Sequence, residues 1–401
     1  IYFLVVFGGM GFFLTLLLPL KKKSLMEEVS VSLGLGIAVF LVASAVFDIA
    51  RVPLHWLSYL AAALLFGLVV YFAKGKHQTV AKLKRYDTNI KKVDLFEVLV
   101  FIIFFVHLLI YLNASFAQPA LEDDDPWGVA LNSAYVKEFQ TYDAQRNNFT
   151  DGRSEPYAQG YHVIMGTLSQ INDSIPDTLK SFNSLFASLA LLFMFYFLRK
   201  LSNNSLFAFL GAFALFVNPS FTSRFIWAEA LGVSLIPLIL YFALPSHERK
   251  ISLKEQQHNI ILGGIIFGAL AILHQRTFIV MAGIVIFLFI AELVAKLLQK
   301  ENIKDALINN TVKIGIVAFF TAIIYWGMQL IKFGFSGIVH ERTKGVLAAY
   351  WSKATISFQD YFKTLAVNDM ANPQGIGTIL LLIAILGLIF LLIERKDYLK
   401  K

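Results

Sequence analysis

Apolar runs long enough to cross a bilayer recur from one end of this sequence to the other, and no other feature limits its fold as tightly. A helix needs about 20 apolar residues to cross a hydrocarbon core of roughly 30 Å. Eleven segments approach that length: about 1–20, 28–49, 53–73, 95–112, 179–198, 205–218, 229–244, 259–274, 277–298, 313–331 and 377–393. Only 15% of the 401 residues are charged, against about 25% in soluble domains. The expected fold class is therefore an all-α polytopic membrane protein of about eleven transmembrane helices. A soluble reading is excluded. The sixth and seventh runs are short, and Pro219 between them cannot continue a helix without losing a hydrogen bond. The sequence opens at Ile1, inside an apolar run, which suggests a piece of a longer protein.

The basic residues give these spans a direction. Of 35 Lys and Arg, 23 fall on one side, including Lys21, Lys22 and Lys23 and the run from Lys74 to Lys92. The positive-inside rule makes that side cytoplasmic, so the net charge of +8 reads as membrane anchoring and calls for no nucleic-acid partner. Two long loops then face outward, about 113–178 and about 332–376. Long loops without secondary structure of their own are usually functional. Within the first, Val129 to Phe139 reads as a short surface helix. The second, through His340-Glu341-Arg342 and Tyr350-Trp351, reads as an interfacial amphipathic helix. The basic stretch 74–94 divides three leading spans (1–93) from the remainder (94–401). The absence of cysteine removes disulfides, thiolate metal ligands and a cysteine nucleophile.

Three outward positions carry residues suited to chemistry. The first is Glu122-Asp123-Asp124-Asp125-Pro126-Trp127. Adjacent carboxylates repel unless solvent or a cation screens them. The turn and the interfacial indole of Trp127 would pin Asp125 at the membrane surface, where it suits a general base or a ligand for a hard divalent cation. Second is the loop from Asn218 to Glu229. Charges at that depth are usually paired or functional, so Arg224 is either a salt-bridge partner of Glu229 or a phosphate binder. Third is His274-Gln275-Arg276, in which His274 either caps its helix or, with Arg276, meets a phosphate. Tyr161 and His162, in Tyr157-Ala158-Gln159-Gly160-Tyr161-His162, end the first outward loop.

From about residue 94 onward the layout resembles the GT-C superfamily of membrane glycosyltransferases: one span, a long first external loop with an early acidic motif, then a series of spans. Asp125-Pro126-Trp127 is similar to the Asp-Pro-Trp of oligosaccharyltransferase catalytic subunits, and Pro219 through Ser223-Arg224 to Glu229 to their second-loop motif. Only one carboxylate stands here where that family has a pair, and its Trp-Trp-Asp-Tyr-Gly motif is absent. The resemblance implies transfer of a sugar or oligosaccharide from a polyprenyl-phosphate-linked donor to a protein or glycan acceptor, outside the plasma membrane. It implies Asp125, Asp124 and Glu229 as catalytic carboxylates, and Arg224, Arg276 and His274 on the donor phosphate. Trp127, Tyr161 and His162 would serve the acceptor loop, with Asp125 and Glu229 on a Mg²⁺ or Mn²⁺. A lipid or glycolipid transporter or flippase is the principal alternative, followed by a polysaccharide polymerase or ligase.

Overall fold

The structure, a computed structural model, describes residues 1–18, 24–89, 94–121, 124–142, 158–218, 226–243, 252–298 and 309–342. Twelve α-helices occupy these residues. They are α1 (Gly9–Leu17, entered through a π-helical run Leu4–Gly8), α2 (Leu25–Ile49), α3 (Trp56–Asn89), α4 (Leu95–Phe116), α5 (Asp124–Phe139), α6 (Gly160–Ser169), α7 (Ile175–Ser202), α8 (Ser205–Phe216), α9 (Ala228–Ala243), α10 (Leu253–Leu273), α11 (Gln275–Leu298) and α12 (Asn310–Arg342). Side chains start several of them. Ser24, Ser174 and Ser252 each accept the N–H three residues on, from Glu27, Asp177 and Glu255 at 3.1, 3.2 and 3.2 Å. An acidic residue three after the capping serine is the capping-box pattern.

Seven of the described helices (α2, α3, α4, α7, α10, α11 and α12) are long and apolar enough to cross a membrane. Shorter apolar helices at Leu4–Leu17, Ser205–Phe216 and Ala228–Ala243 occupy the expected first, sixth and seventh spans. The expected span at 377–393 lies outside the described residues. The chain is a multi-pass integral membrane protein. Some boundaries differ from expectation. Helix α3 continues through the basic stretch to Asn89, because Lys, Gln, Ala and Leu there are good helix formers. Helix α5 begins at Asp124, five residues before the surface helix expected at Val129. Helix α12 passes the expected loop start and bends at Gly334, whose φ of 69° suits glycine alone.

Helices α2 and α10 form the centre, each with a span 72% buried, whereas α11 is 11% buried and offers most of its surface to lipid. One hydrophobic core runs from Phe3 to Tyr325 and takes residues from both sides of position 94. Within lipid, helices associate by close packing, and small residues permit it. A Cβ on Gly268 of α10 would lie 2.6 Å from the Ala318 carbonyl oxygen and 2.4 Å from the Thr321 Cβ of α12; one turn earlier, Gly264 meets Val317 in the same way.

One end of the bundle is tied by ions. Arg199 of α7 donates through Nη2 to Glu27 of α2 (2.7 Å) and through Nη1 to Glu97 of α4 (2.5 Å). Ser24 Oγ donates to Glu97 (2.5 Å) and the Tyr241 hydroxyl of α9 to Glu27 (2.7 Å). Thr15 of α1 meets Glu28 at 2.6 Å, and the Lys200 ammonium reaches the Tyr241 carbonyl. All three carboxylates are buried. Four helices, α2, α4, α7 and α9, therefore meet in one network around a single guanidinium, with the Thr15–Glu28 bond of α1 beside it.

Two outcomes follow from this packing. Gly268→Ile overpacks the α10–α12 contact and lowers stability by about 1–3 kcal/mol in thermal unfolding of the detergent-solubilised protein. Gly283→Ile, at a position with open space around its Cβ, serves as the neutral control. Arg199→Gln leaves two buried carboxylates without their cation and costs about 3–5 kcal/mol; adding Glu27→Gln and Glu97→Gln restores part of that loss in the same measurement.

Candidate functional site

The Arg199 network fixes the heights of the other residues. Tyr241 of α9 and Glu27 of α2 share one level through their hydrogen bond. Along α9, Glu229 stands about 18 Å above that level, and along α2, Asp48 stands about 31 Å above it, at about 1.5 Å per residue. On α10, Gly263 rests against the Cβ of Phe242, which places His274 about 16 Å above the same level. Both the start of α9 and the α10–α11 turn thus stop roughly 10 Å or more short of the height of Asp48. They end recessed below the top of α2.

One residue makes that recessed turn. The His274 N–H closes α10 on the Leu270 carbonyl (2.8 Å), while its own carbonyl accepts from Phe278 N–H (3.1 Å) and opens α11. Its imidazole Nδ1 lies 3.0 Å from Thr277 Oγ1. Thr277 in turn seats on α9, where a Cβ at Gly232 would fall 2.6 Å from its hydroxyl. Beside this contact, Arg276 Nη1 and Glu229 Oε1 pair at 2.8 Å.

Helix α6 descends to the same place. At its outer end Gln170 accepts from Trp56 N–H (2.8 Å) and donates to the Leu54 carbonyl (3.0 Å), clasping the α2–α3 connection. About 15 Å further in, a Cβ on Gly160 would lie 2.8 Å from the Ile272 carbonyl oxygen, so only glycine admits this approach. Tyr161 donates to Asn183 Oδ1 of α7 (3.0 Å), and His162 Nδ1 meets Gln159 Oε1 (2.6 Å). Burial, and then the neighbouring His274, push His162 down to about 4, so its ring is neutral at physiological pH. The N-terminal ends of α6, α9 and α11 converge here, each with a partial positive charge.

A family model described as a family of unknown function, DUF6541, matches residues 4–399. The chain belongs to DUF6541. No curated protein and no solved structure matches it.

In this DUF6541 chain the sequence candidates separate into two places. Glu229, Arg276, His274 and His162 gather at the recessed corner. Asp125 and Trp127 lie on α5, which packs on α6 where Gly166 faces Ser133 and Val136. Asp125 is exposed, and the half-exposed Trp127 donates from Nε1 to the Leu121 carbonyl at 3.2 Å. Among the described residues no hydrogen bond or ion pair joins Asp125 to Glu229, and no group of three or more His, Asp or Glu gathers that could hold a metal. The Asp124 side chain, Arg224, and the residues beyond Arg342 lie outside the description. Glu229 pairs with Arg276, which approaches from the next hairpin. Tyr161 and His162 are buried, because α6 inserts among helices. His274 caps α10, as one of its two readings had it, and also opens α11. Gln159, Thr277 and Asn183 were not singled out from the sequence, although Gln159 lies inside a quoted motif and Thr277 directly follows one.

Because the chain lacks cysteine, single-cysteine labelling has no background. Asp125→Cys should react with a membrane-impermeant maleimide added to intact cells, and His162→Cys should stay unlabelled until the protein is denatured. Equal labelling of both would contradict the burial of α6.

Proposed function

We propose that this chain is a membrane glycosyltransferase of GT-C type, which moves a sugar or oligosaccharide from a polyprenyl-phosphate-linked donor to a protein or glycan acceptor at the outward face. What supports this reading is the gathering of Glu229, Arg276, His274 and His162 at one corner of the outward leaflet. A donor with a lipid tail presents its phosphate at that depth. A guanidinium suits phosphate recognition through its planar fork. Preorganised cationic and dipolar groups in a water-poor site stabilise a departing phosphate strongly.

In the proposed reaction an acceptor oxygen or nitrogen attacks the anomeric carbon as the carbon–oxygen bond to phosphate breaks. The polyprenyl phosphate leaves onto Arg276, assisted by His274, and the acceptor's proton passes to a carboxylate. Glu229 is placed to take that proton. Asp125, on the more exposed α5, would orient the acceptor from above. The Mg²⁺ or Mn²⁺ that the resemblance implies does not fit the described residues, since Arg276 engages the Glu229 carboxylate and no metal-binding group of three forms. No step is therefore routed through a metal.

One observation favours the flippase alternative. His107 of α4 is buried against Ser188 of α7 (2.8 Å), about 15 Å above Glu97 and so near the middle of the membrane, where ionisable residues often mark a substrate path.

Purified protein incubated with a panel of radiolabelled polyprenyl-phosphate sugars, with and without EDTA, tests both readings. Transfer from at least one donor is expected, with Glu229→Gln and Arg276→Ala each reduced about 100-fold or more. Transfer that survives in both variants would remove the corner from the reaction. Translocation of a labelled lipid across proteoliposomes without any transfer would favour the flippase.

A further inference from the structure

We infer that Arg276 is an anion-exchange site: Glu229 occupies it in the resting protein, and a bilayer-borne phosphate displaces the carboxylate on binding. The ligand class rests on the reading above, whereas the exchange itself needs no sugar chemistry.

Geometry carries the inference. The 2.8 Å pair is uneven, because the Arg276 side chain is 50% exposed and that of Glu229 only 21%. An incoming anion therefore reaches the guanidinium before it reaches the carboxylate. Arg276 sits on α11, whose span is only 11% buried, so its approach runs along a helix that faces lipid. The pair lies below the outward surface by the heights set out above, and a water-soluble anion has to leave water to arrive there. An amphiphile already in the leaflet does not.

The charge inventory points the same way. Among the described residues, Arg276 and the positive ends of α6, α9 and α11 lie beside one carboxylate, that of Glu229. A phosphate carries at least one full negative charge and more acceptor oxygens than a carboxylate. It therefore replaces Glu229 on Arg276 without leaving the cation unpaired in a low-dielectric setting, where unpaired charge is most costly. The displaced Glu229 oxygen becomes available to a second substrate. Binding of the phosphate and release of the carboxylate are then one event, which orders the two substrates.

Farnesyl phosphate titrated into the full chain in nanodiscs tests this, with farnesol and inorganic phosphate as the arms that separate tail from headgroup. Glu229→Gln removes the internal competitor and should bind farnesyl phosphate about tenfold or more tightly than wild type. Arg276→Gln should lose binding, and the double variant should match Arg276→Gln. Farnesol and inorganic phosphate should bind weakly throughout. Equal or weaker binding by Glu229→Gln, with its thermal unfolding unchanged, overturns the exchange; so does undiminished binding by Arg276→Gln. Tighter binding by Glu229→Gln in a protein that shows no glycosyl transfer would uphold the exchange and reject the enzyme.

Discussion

Arg199 holds two carboxylates from two other helices, and most of the register described above depends on it. Taking ions from water into a protein costs several kcal/mol each, and the attraction between them repays this only with good geometry and further hydrogen bonds. Here both are present. The planar guanidinium donates to Glu27 from one nitrogen and to Glu97 from another, an arrangement that a lysine ammonium on a flexible stem does not reproduce. Ser24 and Tyr241 fill further positions on the same carboxylates, and the guanidinium lies 4.9 Å from the Tyr196 ring centroid. Because the geometry is demanding, α2, α4, α7 and α9 have little freedom to slide. Greasy helices packed in lipid lack such a reference, since the hydrocarbon outside is as apolar as their own side chains.

Once the inner ends are levelled, differences in helix length become differences in depth at the outer end. Helix α2 rises to the height of Asp48, while α9 and the α10–α11 hairpin stop well below it. The notch between them is where α6 enters, held above by Gln170 and below by the absence of a side chain at Gly160. Irregular backbone and polar groups are tolerated at membrane depth only where protein or a cavity satisfies them. His274 meets that demand economically by ending one helix and beginning the next within a single residue. The polar corner thus follows from the lengths of apolar runs, fixed in register by an ion cluster at the opposite end of the membrane.

How much of this the sequence disclosed follows from which interactions are local. Apolar runs act within a few residues, so most of the spans were readable, including the shortness of the helices on either side of Asn218. The pairing of charges was not. Arg199 meets Glu27 from 172 residues away; in the sequence Glu27 reads only as an acidic residue in a first turn, where it is favourable anyway. Glu229 meets Arg276 from another hairpin, a partner that proximity along the chain does not point to. The burial of helix α6 was hidden for a further reason. Its Gly, His and Thr are ordinary in a surface helix, and its burial comes entirely from the helices that receive it.

The same distinction bears on the motifs. Asp125-Pro126-Trp127 is contiguous and therefore conspicuous, yet its helix leaves Asp125 exposed. The corner at His274 is assembled from α6, α9, α10 and α11, none of which carries a conspicuous signature there. A contiguous motif can be recognised by resemblance, whereas a site built from four helices has to be recognised by its fold. In a membrane the second kind has an added physical warrant. Water can screen the exposed Asp125, so that residue needs no partner to persist. Arg276 and Glu229, drawn from two hairpins, hold their charges against each other, and a ligand that displaces one has to offer the other a charge in its place.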